Sequence, residues 1–212
     1  MLSYSQIFFI IEGVSVTLQY SILSVFFGLF IGSFLALAKV SNVRVLRICA
    51  NIYTSIFRGT PLIIQLMIIY NALPQLIGIK LSVFASGIIA FSLNSGAYTS
   101  EVIKAGIEAV DKGQFEASKA LGIPYRLMMR DIILPQAILK ILPSLVNELV
   151  NVVKESAIIS MIGEMDLMRR AQMVSGETYN YFMPMIVAAV SYYILVMMLS
   201  KISILVERRI KI

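Results

Sequence analysis

The stretch Val14-Ser-Val-Thr-Leu-Gln-Tyr-Ser-Ile-Leu-Ser-Val-Phe-Phe-Gly-Leu-Phe-Ile-Gly-Ser-Phe-Leu-Ala-Leu-Ala38 carries no charged side chain. It exceeds the roughly 20 apolar residues that a helix needs to cross a hydrocarbon core. Ala36-Leu37-Ala38 looks like a small-residue cleavage site. However, no Lys or Arg precedes the run, and it is far longer than the roughly 7–15 residues of a secretory signal core. It reads as a retained membrane span. Gly28 and Gly32 are spaced to let a second helix approach closely, although the same spacing arises by chance in glycine-tolerant membrane helices.

The rest of the chain agrees with that stretch. Charged residues make up 14% of the 212, against about 25% in soluble domains, so a soluble globule would expose much of this apolar surface. The expectation is an all-α, polytopic integral membrane protein forming one domain over 1–212, with five transmembrane helices at about 12–39, 48–76, 81–104, 136–162 and 181–203. A polar loop, 107–135, joins the third and fourth. One cysteine (Cys49) and no histidine exclude an internal disulfide framework, a His/Cys metal cluster and the commonest general base. A membrane-embedded enzyme is therefore disfavoured.

Three features stand out within the spans. Arg58-Gly59-Thr60-Pro61 interrupts the second, and such a break is tolerated at depth only where it is packed in protein or lines a cavity. Arg58 itself is expected to reach the headgroups at the interface. In the third span Gly87, Asn94, Tyr98 and Glu101 fall within one arc, with Ser92, Ser95 and Thr99 on another face. In the fourth, Ser144, Asn147, Glu148, Asn151 and Glu155 recur every three or four residues, with Lys154 at the edge of the stripe. Polar groups at that depth face a bundle interior or a wet pathway. The candidate substrate-facing residues are thus Asn94, Tyr98, Glu101, Asn147, Glu148 and Asn151. Carboxylates in a pathway favour a cationic partner, while Asn and Glu together also satisfy a carboxamide. Glu101 is within reach of Lys104, a pairing that would make it structural.

Lysines and arginines are distributed asymmetrically. Fourteen fall in the first connector with Arg58, the central loop with Lys140, and the tail (Lys201, Arg208, Arg209, Lys211), against four elsewhere. The positive-inside rule then places the N-terminus outside and the central loop and C-terminus in the cytoplasm. The net charge of +6 is a matter of topology, not of nucleic-acid binding.

The central loop, Gln114-Phe-Glu-Ala-Ser-Lys-Ala-Leu-Gly-Ile-Pro-Tyr-Arg-Leu-Met-Met-Arg-Asp-Ile-Ile-Leu-Pro135, is polar yet ordered in pattern. Phe115 to Leu121 is helix-prone, Gly122 stands where a left-handed C-terminal cap belongs, and a second helical run starts near Pro124. The spacing Glu116-Ala117-Ser118, three residues, Gly122, nine residues, Ile132, one residue, Leu134-Pro135 resembles the Glu-Ala-Ala loop of ATP-binding-cassette (ABC) importer permeases. Ser118 replaces the usual second alanine. Tyr53 with Arg58-Gly59-Thr60-Pro61-Leu62 and Gln65, Asn94-Ser95-Gly96-Ala97-Tyr98 with Glu101, Lys112-Gly113-Gln114 and Leu134-Pro135-Gln136-Ala137 resemble the polar amino acid uptake branch of that family. Lys154-Glu155-Ser156-Ala157 is a looser match.

That resemblance implies a type I ABC importer fold whose loop is a cytoplasmic coupling helix, with Gln114, Glu116, Ala117, Ser118 and Gly122 engaging an ATPase. It also implies an ABC ATPase dimer, a second permease copy as a homodimer, and an extracytoplasmic amino acid binding protein as partners, in a bacterial cell (inner) membrane. No phosphate-binding Gly-x-x-x-x-Gly-Lys-Ser/Thr loop occurs in the chain, so it is expected to hold no cofactor itself, with ATP and Mg bound and hydrolysed by the partner. The implied substrates are polar amino acids: arginine, lysine or histidine, or glutamine. The alternative from the residues alone is an ion-coupled secondary amino acid transporter using Glu148 as a cation or proton site. The lack of an internal repeat and the structured loop count against it.

Overall fold

A computed structural model describes residues 2–210 of the chain, so Lys211 of the basic tail lies outside the described residues. Among the described residues the regular structure is helical throughout. The first helix, α1 (Tyr4–Val40), starts at a capping box in which Ser3 Oγ accepts the Gln6 amide and the Gln6 side chain accepts the Ser3 amide. After a short turn come α2 (Arg44–Gly59), α3 (Leu62–Met67) and α4 (Leu73–Ile77), the last two joined by a π turn over Ile68–Ala72. Then follow α5 (Val83–Glu108), α6 (Lys112–Ala120), α7 (Tyr125–Leu127) and, after a second π turn, α8 (Leu134–Glu155). A 3-10 segment, Ser156–Ile162, leads to α9 (Leu167–Thr178) and α10 (Phe182–Ile210).

Glycine spacing in α1 has a direct structural consequence. A Cβ on Gly28 would meet Ser95 Oγ at 2.8 Å, and one on Gly32 would meet Thr99 Cβ at 2.8 Å. Gly96 of α5 answers from the other side, where a Cβ would meet Ile31 at 2.7 Å. The two helices therefore interlock through small residues, the packing that substitutes for a hydrophobic driving force in lipid. Near its start α1 makes a second close approach: a Cβ on Gly13 would meet the Leu167 backbone at 2.6 Å. There Arg170 Nη1 donates to Glu12 at 2.7 Å, Tyr20 donates to Glu164, and buried Asp166 caps α9 through the Met168 and Arg169 amides. Tyr20, Leu66, Phe91, Val152 and Ile159 form the main core, with side chains from α1, α3, α5, α8 and the 3-10 segment.

Among the described residues three helical stretches are long and apolar enough to cross a membrane: Tyr4–Val40, Tyr125–Ile162 and Phe182–Leu205. The pair Arg44–Gly59 and Leu62–Ile77 makes a fourth if counted as one broken span. α5 falls outside this group because Ser86, Ser92, Asn94, Ser95, Thr99 and Ser100 dilute its apolar residues. All six are buried against neighbouring helices. The helix entering the fourth span begins at Tyr125, about ten residues earlier than the hydropathy boundary at 136.

Candidate functional site: a polar face beside a broken helix, and an exposed capped turn

The break at Thr60-Pro61 turns the chain by 103°, and the carbonyls it releases are met by one side chain. Gln65 Nε2 lies 2.8 Å from the Phe57 carbonyl and within 3.1 Å of both Thr60 oxygens. Gln65 Oε1 accepts from Asn94 Nδ2 at 3.0 Å, and Asn94 Nδ2 also lies 3.3 Å from the Phe57 carbonyl. Tyr53 donates to the Leu93 carbonyl at 2.8 Å. A helix break within a membrane span needs such partners for the carbonyls it releases. Asn94 is thus held by the break, and sequence reasoning placed it without identifying Gln65 as the partner that occupies it.

Glu101 does not pair with Lys104. Its carboxylate meets Lys39 Nζ at 2.5 Å and Arg58 Nη1 at 3.3 Å, while Lys104 pairs with Glu108. Lys39 exposes only 1% of its side chain, so the carboxylate is the counter-charge that allows a lysine to be buried. Arg58 lies over the Tyr98 ring at 5.5 Å and remains partly exposed. The reason for the change of partner is tertiary. The C-terminal end of α1, the end of α2 and the α5 face carrying Tyr98 and Glu101 converge at one place.

The α8 stripe is divided between two neighbours. At about 100° per residue, Glu148 sits at one edge of the arc and Asn147 at the other. Glu148 is buried and accepts from Ser95 Oγ of α5 at 3.1 Å. Asn147 Oδ1 accepts from Ser203 of α10 at 3.3 Å. Between them Ser144, Asn151 and Glu155 are exposed, as is Tyr98 on α5. A strip of uncommitted polar groups therefore runs along α8 between α5 and α10. Of the six predicted residues, Asn94, Glu101 and Glu148 are occupied by the chain's own groups, Asn147 is bonded to Ser203 yet exposed, and Tyr98 and Asn151 are exposed.

The loop residues are arranged as the cap pattern requires. Asp111 begins α6 by accepting the Gly113 amide. At the other end Gly122 has φ +69°, with its amide bonded to the Lys119 carbonyl and the Ile123 amide to that of Ser118. This is a Schellman cap, which closes a helix end through backbone alone. Gln114, Glu116, Ala117 and Gly122 are exposed, and Leu121 is 78% exposed. Ser118 differs: it is buried, with its hydroxyl donating to the Gln114 carbonyl at 2.6 Å. It turns toward the body of the protein, where only a small residue fits. Beyond Pro124, Arg130 and Asp131 form a two-bond pair at 2.6 and 2.9 Å.

These elements, an outward-facing capped turn and a bundle built around a broken helix, have counterparts among known proteins. Binding-protein-dependent transport system inner membrane components match residues 28–212. The chain belongs to that family. It is 68% identical over 206 residues to the putative glutamine transport system permease protein GlnP of Rickettsia conorii, covering 97% of this chain and 94% of that one. It is 51% identical, with the same coverage, to the arginine transport system permease protein ArtQ of Bacillus subtilis. A crystal structure of an amino acid ABC transporter with histidines contains a chain that superposes with a TM-score of 0.91 at 44% identity, covering 95% of this chain and 94% of that one. An inward-facing MetNI methionine ABC transporter shares the fold, with a TM-score of 0.83 at 21% identity over 99% of each chain. The fold is that of type I ABC importer permeases, and the chain is a membrane component of an ABC import system.

Proposed function

We propose that this chain is the permease subunit of an ATP-driven importer for polar amino acids, either cationic ones (arginine, lysine, histidine) or glutamine. Glutamine and arginine are the substrates in the names of its relatives. The single observation that carries this reading is the capped α6–α7 turn, which leaves Gln114, Glu116, Ala117, Gly122 and Leu121 facing outward on the arginine- and lysine-rich side. Such a surface suits a cytoplasmic partner, the ATPase dimer that binds ATP and Mg.

α5 is the fifth span, kept from lipid by its neighbours. With it the N-terminus lies outside, and α6 and the C-terminus lie in the cytoplasm of a bacterial inner membrane. The exposed strip of Ser144, Asn151 and Glu155 with Tyr98 is unsuited to hydrocarbon. It forms half of a pathway completed by a second copy of the chain. Tyr98, Asn147 and Asn151 contact substrate, while Asn94, Glu101 and Glu148 hold the wall in place. An extracytoplasmic binding protein delivers the amino acid. ATP-driven closure of the ATPase pulls on α6, and the π turn and α8 carry that movement to the strip.

Co-expression with candidate ATPase subunits, purification and uptake in vesicles tests this reading. The expected result is a stable complex whose uptake of labelled arginine or glutamine requires ATP. Uptake by the chain alone, driven by an ion gradient, would return the secondary-transporter reading.

A further inference from the structure

A separate pocket of about 500 Å³ opens where the end of α1 meets the segment leaving the coupling turn. It is lined by the apolar side chains of Leu37, Val40, Met129 and Leu134 and by the polar ones of Asn42, Arg126 and Arg130, and we take the arginines as its mouth. Arg130 is already bonded to Asp131 through Nε and Nη2, whereas Arg126 is exposed and pairs with no carboxylate among the described residues. The apolar wall does not end at the pocket. It continues along α1 through Phe34 and Phe30, 73% and 55% exposed, and along α8 through Ile138, 50% exposed. The result is a cationic mouth at the end of a hydrophobic track.

We propose that this pocket binds an anionic phospholipid of the cytoplasmic leaflet, its phosphodiester on Arg126 and its acyl chain along α1 and α8. A protein partner arriving from the cytoplasm would use the mouth but not the track, and a free anion would need only the mouth. The amphiphile alone uses both. Basic pockets between spans on the cytoplasmic side are suited to anionic headgroups, and each arginine near the surface contributes about 1 kcal/mol of attraction to them. The occupied pocket bridges the α1–α2 turn and the helix that leaves α6. A bound lipid would therefore stiffen the joint across which coupling movements pass. The proposal rests on the cytoplasmic placement of that turn. Thiol labelling at Leu121→Cys, in a Cys49→Ser background, checks this placement independently of lipid binding.

The test is native mass spectrometry of the chain, with the subunits that copurify with it, released from nanodiscs of mixed phosphatidylglycerol and phosphatidylcholine. The expected result is retained phosphatidylglycerol in preference to phosphatidylcholine. Arg126→Gln should reduce that preference about fivefold, the equivalent of about 1 kcal/mol. Arg126→Lys should keep most of it, and Arg47→Gln, which removes the same charge from α2, should leave it intact. Leu37→Trp, which fills the track while keeping both arginines, should also displace the lipid. Retention of the preference by Arg126→Gln, or equal loss in Arg47→Gln, would overturn the site. So would competition by glycerol phosphate as effective as by whole lipid, or release of the lipid when the ATPase subunit binds.

Discussion

The chain interrupts its helices in two places by opposite means. At Thr60-Pro61 the backbone is exposed, yet side chains from two helices, Gln65 and Asn94, cover the freed carbonyls. At Leu121-Gly122-Ile123 the end is closed by backbone bonds and one left-handed glycine, and the side chains are left outside. The difference follows from the surroundings. A break in a bundle must satisfy its polar groups internally, whereas a turn in water can leave its side chains free for another molecule. On the reading proposed above, the first serves as a fixed hinge and the second as a contact surface. Variants at the two should fail differently, one in stability and the other in coupling.

The largest expected effect belongs to the turn. Gly122→Asp places a Cβ at φ +69°, where L side chains are strained. It should reduce uptake at least tenfold, with insertion and membrane level unchanged on immunoblots. Loss of the protein from the membrane would instead make Gly122 a folding residue. Next comes the buried charge near the break. Glu101→Ala leaves Lys39 without its counter-charge and should cost about 3–5 kcal/mol, read as a fall in the unfolding midpoint in detergent. Lys39→Met combined with Glu101→Ala should recover much of it. Gln65→Ala uncovers the carbonyls at the break and should cost about 1–3 kcal/mol, with α6 accessibility unchanged. Asn151→Ala, on the open strip, should alter substrate concentration dependence and leave the midpoint within about 0.5 kcal/mol.

The last effect is one of pH, at the joint between α1 and α9, where Tyr192 donates to Asp166 at 3.2 Å. Burial raises the Asp166 carboxyl to about 6, above its unfolded value. Its contribution is fully present below the unfolded value near 4 and is lost as pH rises through about 6. Amide protection in α9, corrected for intrinsic exchange, should accordingly be higher at pH 4 than at pH 7, by on the order of 1 kcal/mol in opening free energy.

Much of this was readable before any coordinates, wherever the physics is local. Uncharged runs report membrane helices, Pro61 after Gly59 reports a break, and Gly122 with Pro124 reports a cap. The α1–α5 interlock was half legible: Gly28 and Gly32 announced a close approach, but not that Ser95 and Thr99 would fill it. The site's pairings were not legible. Lys104 is a sequence neighbour of Glu101, yet the carboxylate chose Lys39 and Arg58, which lie 62 and 43 positions earlier and reach it only when three helices meet. The one available signal was the charge of Lys39 directly after a long apolar run, at a depth similar to that of Glu101. Likewise, the polar stripe of α8 gave no sign that its edges belong to Ser95 and Ser203. Five residues on one face of a helix look alike until the neighbours are known.

The central claim is that the exposed α6–α7 turn transmits force from an ATPase. It is tested most directly by single-turnover uptake in vesicles holding the assembled complex, comparing wild type with Gly122→Asp at matched amounts of bound ATPase. The account predicts ATP-dependent uptake of arginine or glutamine in the wild type, and ATP hydrolysis without uptake, or loss of ATPase association, in the variant. Uptake by Gly122→Asp at the wild-type rate, or wild-type uptake without ATP, would contradict it.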